Sequence, residues 1–241
     1  IPNIKIEGRC VYTNKLRAAG FRGFGNPQVT FAGESQIDEV ADRLGVDPID
    51  LRLKNAMQNG DKQTGGHMVQ VCGLSECLEK ARDQSGWTAK RRANSGSGKM
   101  TGLGVSAFSH ICGLLSTGAI VRLAEDGSIV LSTGAVDYGQ GSDTALAQIC
   151  SEALRVDVGQ VNFVAPDSDS SPYNWGTAAS RTTYMVGRAV RDAALDVREK
   201  ILKAAAIMLE ASEADLVLTE GGRVQIVGSD VSVGFFDISM F

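Results

Sequence analysis

Residues 21–45 read FRGFGNPQVTFAGESQIDEVADRLG, a glycine-rich turn followed by one long amphipathic pattern. Apolar residues recur at helical spacing from position 29 to position 44, and Gly45 stands where such a helix ends. Glycine in the turn allows backbone angles and close approaches that a side chain would block. The stretch therefore predicts a turn that leads into a helix. Two further turns of small residues precede helical patterns: Tyr138-Gly139-Gln140-Gly141-Ser142 and Gly176-Thr177-Ala178-Ala179-Ser180.

The rest of the sequence alternates between helical and strand-like segments. In the first half we predict a strand at 9–14, a helix through Leu51 and Leu53 with Asp47 as N-cap and Pro48 after it, and a helix at 74–84 with Ser75 as candidate cap. In the second half we predict helices at 142–154 and about 178–209, and strands at 102–108, 119–123, 128–131, 161–164, 216–219 and 224–226. Hairpin turns at Asp126-Gly127 and Gly221-Gly222 favour an α+β fold with mixed sheets over a doubly wound parallel sheet.

A polar segment divides the chain into two blocks. Residues 85–99 end in Asn94-Ser95-Gly96-Ser97-Gly98-Lys99, a composition typical of a flexible connector. We therefore predict parts of two domains, at 1–84 and 100–241, joined by a connector at 85–99. A length of 241 residues is compatible with one or two domains.

Composition excludes several classes of function. The net charge of -4 argues against a nucleic-acid partner, and no apolar run approaches the roughly 20 residues of a membrane helix. The five cysteines form no pair at metal-binding spacing, which indicates reduced thiols and no metal ligands in this chain. The first residues show no export signal, so we expect a cytoplasmic protein without a membrane partner.

Each glycine-rich turn has two interpretations. A helix N-terminus presents unpaired N–H groups and the positive end of the helix dipole, which suits an anion such as a phosphate. Taken singly, such a turn is more often an ordinary helix entry, and Phe21 and Phe24 would then be core residues and Arg22 a structural ion-pair residue. A further alternative is that this chain is an unrelated anion- or nucleotide-binding protein.

The motifs resemble the large, molybdopterin-binding subunit of xanthine dehydrogenase/aldehyde oxidase-type enzymes. The specific run is Phe21-Arg22-Gly23-Phe24-Gly25-Asn26-Pro27-Gln28, followed by Leu44-Gly45-Val46-Asp47-Pro48, which is similar to the end of the first cofactor-binding domain. Gly139-Gln140-Gly141 and Thr177-Ala178-Ala179-Ser180-Arg181 resemble the two cofactor loops of the second domain. The matches occur in the family's order and cover most of the chain.

The resemblance implies a molybdenum hydroxylase that uses water to hydroxylate an aldehyde or an N-heteroaromatic, purine-like carbon, with a glutamate as general base. The implied cofactor is a molybdenum pyranopterin, either molybdopterin or its cytosine dinucleotide form. Arg22 would lie beside the molybdenum, Phe24 would pack against a flat small-molecule substrate, and Phe108 would be a second aromatic wall. Gly139, Gln140 and Gly141 would cradle the cofactor, Ala178 and Ala179 would line the pocket, and Thr177, Ser180 and Thr182 would bind the cofactor by hydrogen bonds.

The resemblance also implies parts that this sequence does not contain. The family's early G-G-F-G loop and its late G-E motif with the catalytic glutamate are absent from these 241 residues. We therefore expect this chain to be part of a larger subunit and inactive alone. Its partners would be the remainder of the large subunit, a subunit or domain with 2Fe–2S clusters and, in many members, one with FAD. The alternative is an isolated, non-catalytic fragment or assembly module without cofactor.

Overall fold

The computed structural model describes residues 3–17, 20, 22–63, 65–93, 102–110, 112–113 and 115–241. It divides into two compact units, Ile1–His110 and Ile111–Phe241. The first unit contains four helices among its described residues: α1 (Asn26–Leu44), α2 (Pro48–Asn55), α3 (Leu74–Ser85) and α4 (Trp87–Ala93). None of the described helices is long and apolar enough to cross a membrane.

The boundaries of α1 and α2 follow the sequence signals. Gly25 precedes α1 with a φ of 96°, and Gly45 ends it with a φ of 67°, where its N–H bonds the last carbonyls. Asp47 caps α2 by accepting the N–H of Ile49 at 2.8 Å, and Pro48 occupies the first helical position. These features confirm both predicted helices.

A buried arginine and a tryptophan join the helices of the first unit. The Arg52 guanidinium on α2 donates to Glu34 and Asp38 on α1, each at 2.8 Å. Burial alone lowers the pKa of Arg52, but the hydrogen bonds and charges of the two carboxylates outweigh it, so that pKa is raised. Trp87 packs against Ile49 and Leu78 and donates from Nε1 to Asp47 Oδ2 at 2.8 Å. The small core therefore depends on polar links as well as on apolar packing.

The second unit is built around a three-stranded mixed sheet. Its strands are β1 (Ala119–Leu123), β2 (Ile129–Thr133) and β3 (Val161–Val164), in the order β1-β2-β3. β1 and β2 form the predicted antiparallel hairpin, and β3 pairs with β2 in parallel. Because β2 is central, its side chains Ile129 and Leu131 are fully buried.

Two long helices pack with this sheet, namely α5 (Ser142–Leu154) and α6 (Gly187–Met208). They cross closely at Gly187, where an added Cβ would lie 2.7 Å from Cδ1 of Ile149 on α5. Leu146, Val190 and Ala194 from the two helices are fully buried in the core. The close crossing fixes the start of α6 and therefore the segment before it.

A second sheet completes this unit. It consists of β4 (Leu216–Thr219), β5 (Arg223–Ile226) and β6 (Ser232–Gly234), all antiparallel, and is followed by α7 (Phe235–Ser239). The two sheets and the packed helices confirm the predicted α+β fold with mixed sheets.

Several local predictions are wrong. Residues 9–14 and 102–108 form no strand, because no strand in the described part of the chain pairs with them. Gly73, and not Ser75, precedes α3. The long helix does not begin near 178, because the backbone of Ala179 and Ser180 is left-handed (φ 49°), and a π-helix at Thr182–Val186 precedes α6.

The segment predicted as a connector is helical at its start. α4 lies inside 85–99, and Trp87 is buried, so a polar composition does not keep this part extended. Residues 94–99 lie outside the described residues. The domain limits 1–84 and 100–241 stay predictions.

Candidate functional site

The first glycine turn of the second unit, residues 136–141, lies between β2 and α5. The Asp137 carboxylate accepts the N–H groups of Gly139 at 2.8 Å and Gly141 at 3.3 Å through Oδ1, and that of Asp143 at 3.2 Å through Oδ2. The bond from Gly139 contributes most to lowering the pKa of Asp137. An internal carboxylate therefore takes the N–H groups that the sequence alone suggested for an anionic ligand.

The side-chain amide of Gln140 forms hydrogen bonds within the same loop and with the first residue of α5. Its Oε1 accepts the N–H of Tyr138 at 2.8 Å, and its Nε2 donates to Val136 O at 3.0 Å and to Ser142 Oγ at 2.8 Å. The side-chain amide thus fixes the shape of the loop. The glycines on either side of it have positive φ angles, 111° at Gly139 and 80° at Gly141, and a Cβ added at either would meet no atom within 4 Å.

The second small-residue turn, 176–180, is bonded directly to the first. Thr177 Oγ1 accepts the N–H of Val136 and donates to its carbonyl, both at 3.0 Å. The Tyr138 hydroxyl donates to the Thr177 carbonyl at 2.8 Å. The structure therefore brings together two groups of residues that are far apart in sequence and that the resemblance assigns to one cofactor.

Residues 112, 113, 115 and 116 also bond the second turn or the arginine that follows it. Gly113 donates its N–H to Ala179 O at 3.1 Å, and the Cys112 thiol donates to Ser180 O at 3.1 Å. Ala178 and Ala179 are partly exposed and Ser180 is exposed. Thr182, also partly exposed, begins the π-helix. All four side chains can therefore be reached at the surface of this unit.

Arg181 lies beneath this turn and is completely buried. Its Nη1 donates to Asn174 Oδ1 and to Gly176 O, the latter at 3.0 Å. Its Nη2 donates to Leu115 O at 3.3 Å and to Ser116 O at 3.0 Å. One guanidinium therefore links the second turn to Leu115 and Ser116.

Asp143, the second residue of α5, is less well satisfied than Asp137. Its Oδ1 is buried and has no hydrogen-bond partner among the residues that the structure describes. Burial raises the pKa of Asp143, and the negative charge of Asp137 raises it further. The N-terminal end of α5 therefore carries one carboxylate whose ionised form is stabilised and one whose ionised form is destabilised.

In the first unit, Arg22 and Phe24 lie on the turn before α1. Arg22 is exposed, and Phe24 is 68% exposed with a φ of 50°. Phe24 is therefore not a core residue of this unit. Gly23, with a φ of 91°, approaches Pro27 so closely that an added Cβ would lie 3.0 Å from its Cδ. Phe21 lies outside the described residues.

The segment that contains Phe108 is held along α1. Asn26 Nδ2 lies 2.8 Å from Nδ1 of His110 and donates to Ser109 O at 3.4 Å. The N–H of Ala107 bonds Glu34 Oε2 at 2.8 Å. Phe108 is 67% exposed and borders a largely apolar cavity of about 840 Å³ within this unit. Asn26 thus ties the segment of Phe108 to the helix that follows the Phe24 turn.

Sequence reasoning missed the residues that shape these loops. Asp137 stands two residues before Gly139, which is the spacing of an aspartate that bonds its own backbone, so this signal was available. Tyr138 and Asn26 act through contacts that no local pattern indicates. Arg181 belongs to one of the motifs that carry the family resemblance, but the burial of a charged side chain cannot be predicted from the residues next to it in sequence.

Comparison with protein families matches two regions of the chain. Residues 1–56 and residues 80–239 each match a model described as "Molybdopterin cofactor-binding domain". The second match alone covers more than half of the chain, and it contains both bonded loops of the second unit.

Known proteins are similar over nearly the whole chain. The putative xanthine dehydrogenase molybdenum-binding subunit of Escherichia coli (strain K12) is 40% identical over 230 residues, which cover 91% of this chain and 30% of that protein. The aldehyde oxidoreductase of Megalodesulfovibrio gigas is 35% identical over 211 residues, 85% of this chain and 23% of that protein. The chain therefore spans about a third or less of the length of these relatives.

Solved structures agree with this assignment. The quinoline 2-oxidoreductase of Pseudomonas putida 86 superposes with a TM-score of 0.76 at 26% identity, over 91% of this chain and 30% of that chain. The aldehyde oxidoreductase from Desulfovibrio gigas gives a TM-score of 0.66 at 31% identity, over 77% of this chain and 21% of that chain. This chain belongs to the molybdopterin cofactor-binding domain family and is part of a large subunit of the xanthine dehydrogenase/aldehyde oxidase type.

Proposed function

We propose that the second unit of this chain holds the molybdenum pyranopterin, as molybdopterin or its cytosine dinucleotide form, in an enzyme that hydroxylates an aldehyde or N-heteroaromatic carbon with water. The observation that carries the proposal is the pair of loops 136–141 and 176–180, bonded to each other through Thr177 and Val136. When bound, the cofactor supplies the oxygen-transfer and two-electron redox chemistry.

The two loops fit an extended polar ligand. A Cβ added at Gly139, Gly141 or Gly176 would meet no atom within 4 Å, so the backbone of both loops borders open space. A ligand can approach such a backbone more closely than one that carries larger side chains. Ala178 and Ala179 add small, partly exposed side chains and would line the pocket. These features support cofactor binding on the open face of the loops.

The hydrogen bonds inside the loops indicate which residues fix the shape of the loops and which are available to bind the cofactor. The N–H groups of Gly139 and Gly141 point to Asp137, and the Gln140 amide bonds its own loop. Loops with internal bonds of this kind are ordered before a ligand arrives, which lowers the entropic cost of binding. Gln140 and Thr177, which the resemblance assigns to direct cofactor contact, then act mainly by setting loop shape. Ser180 and Thr182 supply the accessible hydroxyls that hydrogen-bond the cofactor.

The first unit would supply residues for substrate and transition state. Arg22 is an exposed cation on a tight turn, suited to stabilising negative charge that develops beside the molybdenum. Phe24 is an exposed ring on the turn before α1, and Phe108 is an exposed ring on a segment that Asn26 and Glu34 bond to α1. Exposed aromatic rings of this kind suit a flat substrate.

The complete enzyme would contain further parts. The chain spans 30% of the length of its relative from Escherichia coli, and another relative is named the large subunit of nicotine 6-hydroxylase from Paenarthrobacter nicotinovorans. These facts support the remainder of a large subunit and further subunits as partners. From the family resemblance, we expect those subunits to carry 2Fe–2S clusters and, in many members, FAD. The glutamate base would lie on that remainder, so we expect no hydroxylase activity from these 241 residues alone.

A matched pair of glycine variants tests the proposal in the complete enzyme. Gly141 and Gly228 have φ angles of 80° and 78°, and both border open space, so Gly141→Leu and Gly228→Leu carry similar backbone strain. We expect Gly141→Leu to lose molybdenum and pterin and Gly228→Leu to retain them. Full cofactor content in both variants would contradict cofactor binding at this loop and favour an assembly module.

A further inference from the structure

The buried guanidinium of Arg181 bonds acceptors on two separate segments. It donates to Asn174 and Gly176 on one side and to the carbonyls of Leu115 and Ser116 on the other. An arginine offers five N–H donors in a planar fork, so a single side chain can bond these oxygens together. A lysine nitrogen, with three donors and no fork, cannot reproduce this arrangement.

The links extend from Arg181 to the base of the first loop. Asn174 Nδ2 donates to Gly134 O at 3.1 Å, next to the end of β2. Gly134 packs tightly there, because an added Cβ would lie 2.5 Å from Pro172 O. The guanidinium therefore connects, through Asn174, with the strand end from which the loop 136–141 begins.

The residues just before Arg181 have an uncommon backbone. Ala179 and Ser180 both have a φ of 49°, in a region that residues other than glycine seldom occupy. Such a conformation persists when surrounding contacts fix it. The N–H of Arg181 bonds Ala178 O at 3.0 Å and its side chain bonds Gly176 O, so this residue holds the turn from both ends.

We propose that Arg181 is a positioning residue for the cofactor, which it would not touch itself. Its fork fixes the turn 176–180, and thereby presents Ala179 and Ser180 to the ligand. This inference rests on the proposed function, since it concerns the same loops. Without the fork, Ala179 and Ser180 relax toward ordinary backbone angles, and the face that contacts the cofactor changes shape.

The test uses Arg181→Lys in the complete enzyme, because lysine keeps the charge and loses the fork. Mutation of residues that orient the direct ligands of a metal or cofactor typically lowers its affinity about 10- to 100-fold. We expect faster cofactor release, with a loss of affinity in that range, and an altered Mo(V) spectrum for the molybdenum that remains. Leu154→Ala is the matched control, since Leu154 is fully buried at the far end of α5 and its truncation lowers stability without touching the loops.

The outcomes separate this inference from the proposed function. Cofactor loss in Arg181→Lys but not in Leu154→Ala, at similar thermal stability, supports positioning. Equal loss in both variants overturns it, since general destabilisation then explains the effect. Full retention with an unchanged spectrum in Arg181→Lys, while Gly141→Leu loses cofactor, overturns positioning and leaves the proposed function intact. Retention in both overturns both.

A second variant keeps the inference testable if Arg181→Lys does not fold. Asn174→Ala removes one acceptor of the fork and the link to Gly134, and leaves Arg181 in place. We expect a smaller but measurable rise in the rate of cofactor release. An unchanged release rate and spectrum in Asn174→Ala would overturn the positioning role.

Discussion

The Thr177 hydroxyl bonds both the N–H and the carbonyl of Val136, each at 3.0 Å. One side chain thus pairs with both backbone groups of a residue, as a neighbouring strand would in a sheet. The two bonds join two loops whose residues are about 40 positions apart. The two loops therefore behave as one surface, so that a change at Thr177 affects both.

Replacing Thr177 by valine tests this link. Valine has nearly the same shape but no hydroxyl, so the Val136 N–H loses its partner and the Val136 carbonyl keeps only its bond from Gln140 Nε2. Because Val136 is about half exposed, water partly compensates, and we expect a loss of about 1 kcal/mol in the free energy of unfolding. Thr177→Ser keeps the hydroxyl and is the control. Equal stability of the valine and serine variants in urea unfolding would show that the bonds contribute nothing.

The two aspartates at the start of α5 predict opposite pH effects. The pKa of Asp143 is raised by burial and by Asp137, so its contribution to stability is present below the ordinary aspartate pKa and is lost as pH rises through the raised value. The pKa of Asp137 is lowered, mainly by the Gly139 N–H, so its contribution is present at neutral pH and is lost as pH falls through the lowered value.

Asp143→Asn should therefore be more stable than the unaltered chain at pH 7, and the difference should vanish in strong acid. Unfolding in urea at several pH values measures both effects. Glu152→Gln removes one carboxylate from the exposed face of the same helix and serves as control. A lower stability of Asp143→Asn at pH 7 would mean that its ionised carboxylate has a partner that stabilises it.

Cys150 should be chemically inert in the folded chain. It is fully buried, and burial raises the pKa of its thiol to about 12. The thiolate is the reactive species, so we expect alkylation at pH 8 to be about 100-fold or more slower than at the exposed Cys112. Mass spectrometry of the alkylated peptides measures both rates. Rapid native labelling of Cys150 would mean that the second unit opens readily.

Arg22 should affect turnover without affecting the fold. Its side chain is exposed, so Arg22→Ala removes no buried contact in this unit. Loss of a group that stabilises transition-state charge typically costs about 10²–10³ in turnover. Arg43→Ala, at the exposed end of α1, is the control for a lost surface charge. The assigned role fails if Arg22→Ala in the complete enzyme keeps normal turnover at normal molybdenum content.

The sequence predicted elements with strong local signals. Asp47-Pro48 indicated the start of α2, and Asp126-Gly127 indicated the β1–β2 hairpin, because caps and turns act over a few residues. The strand predicted at 9–14 failed because strand formation needs a partner that a local pattern does not supply. In the same way, the left-handed backbone of Ala179 and the burial of Arg181 depend on contacts with Gly113, Leu115 and Ser116.

An experimental structure of the complete enzyme with its cofactor bound tests the proposed site most directly. We expect cofactor atoms within about 4 Å of the backbone at Gly139 and Gly141 and of the side chain of Ala179. We also expect Asp137 to keep its bonds to the glycine N–H groups. Cofactor density elsewhere, with the loops 136–141 and 176–180 in contact with protein alone, would contradict the proposed binding site.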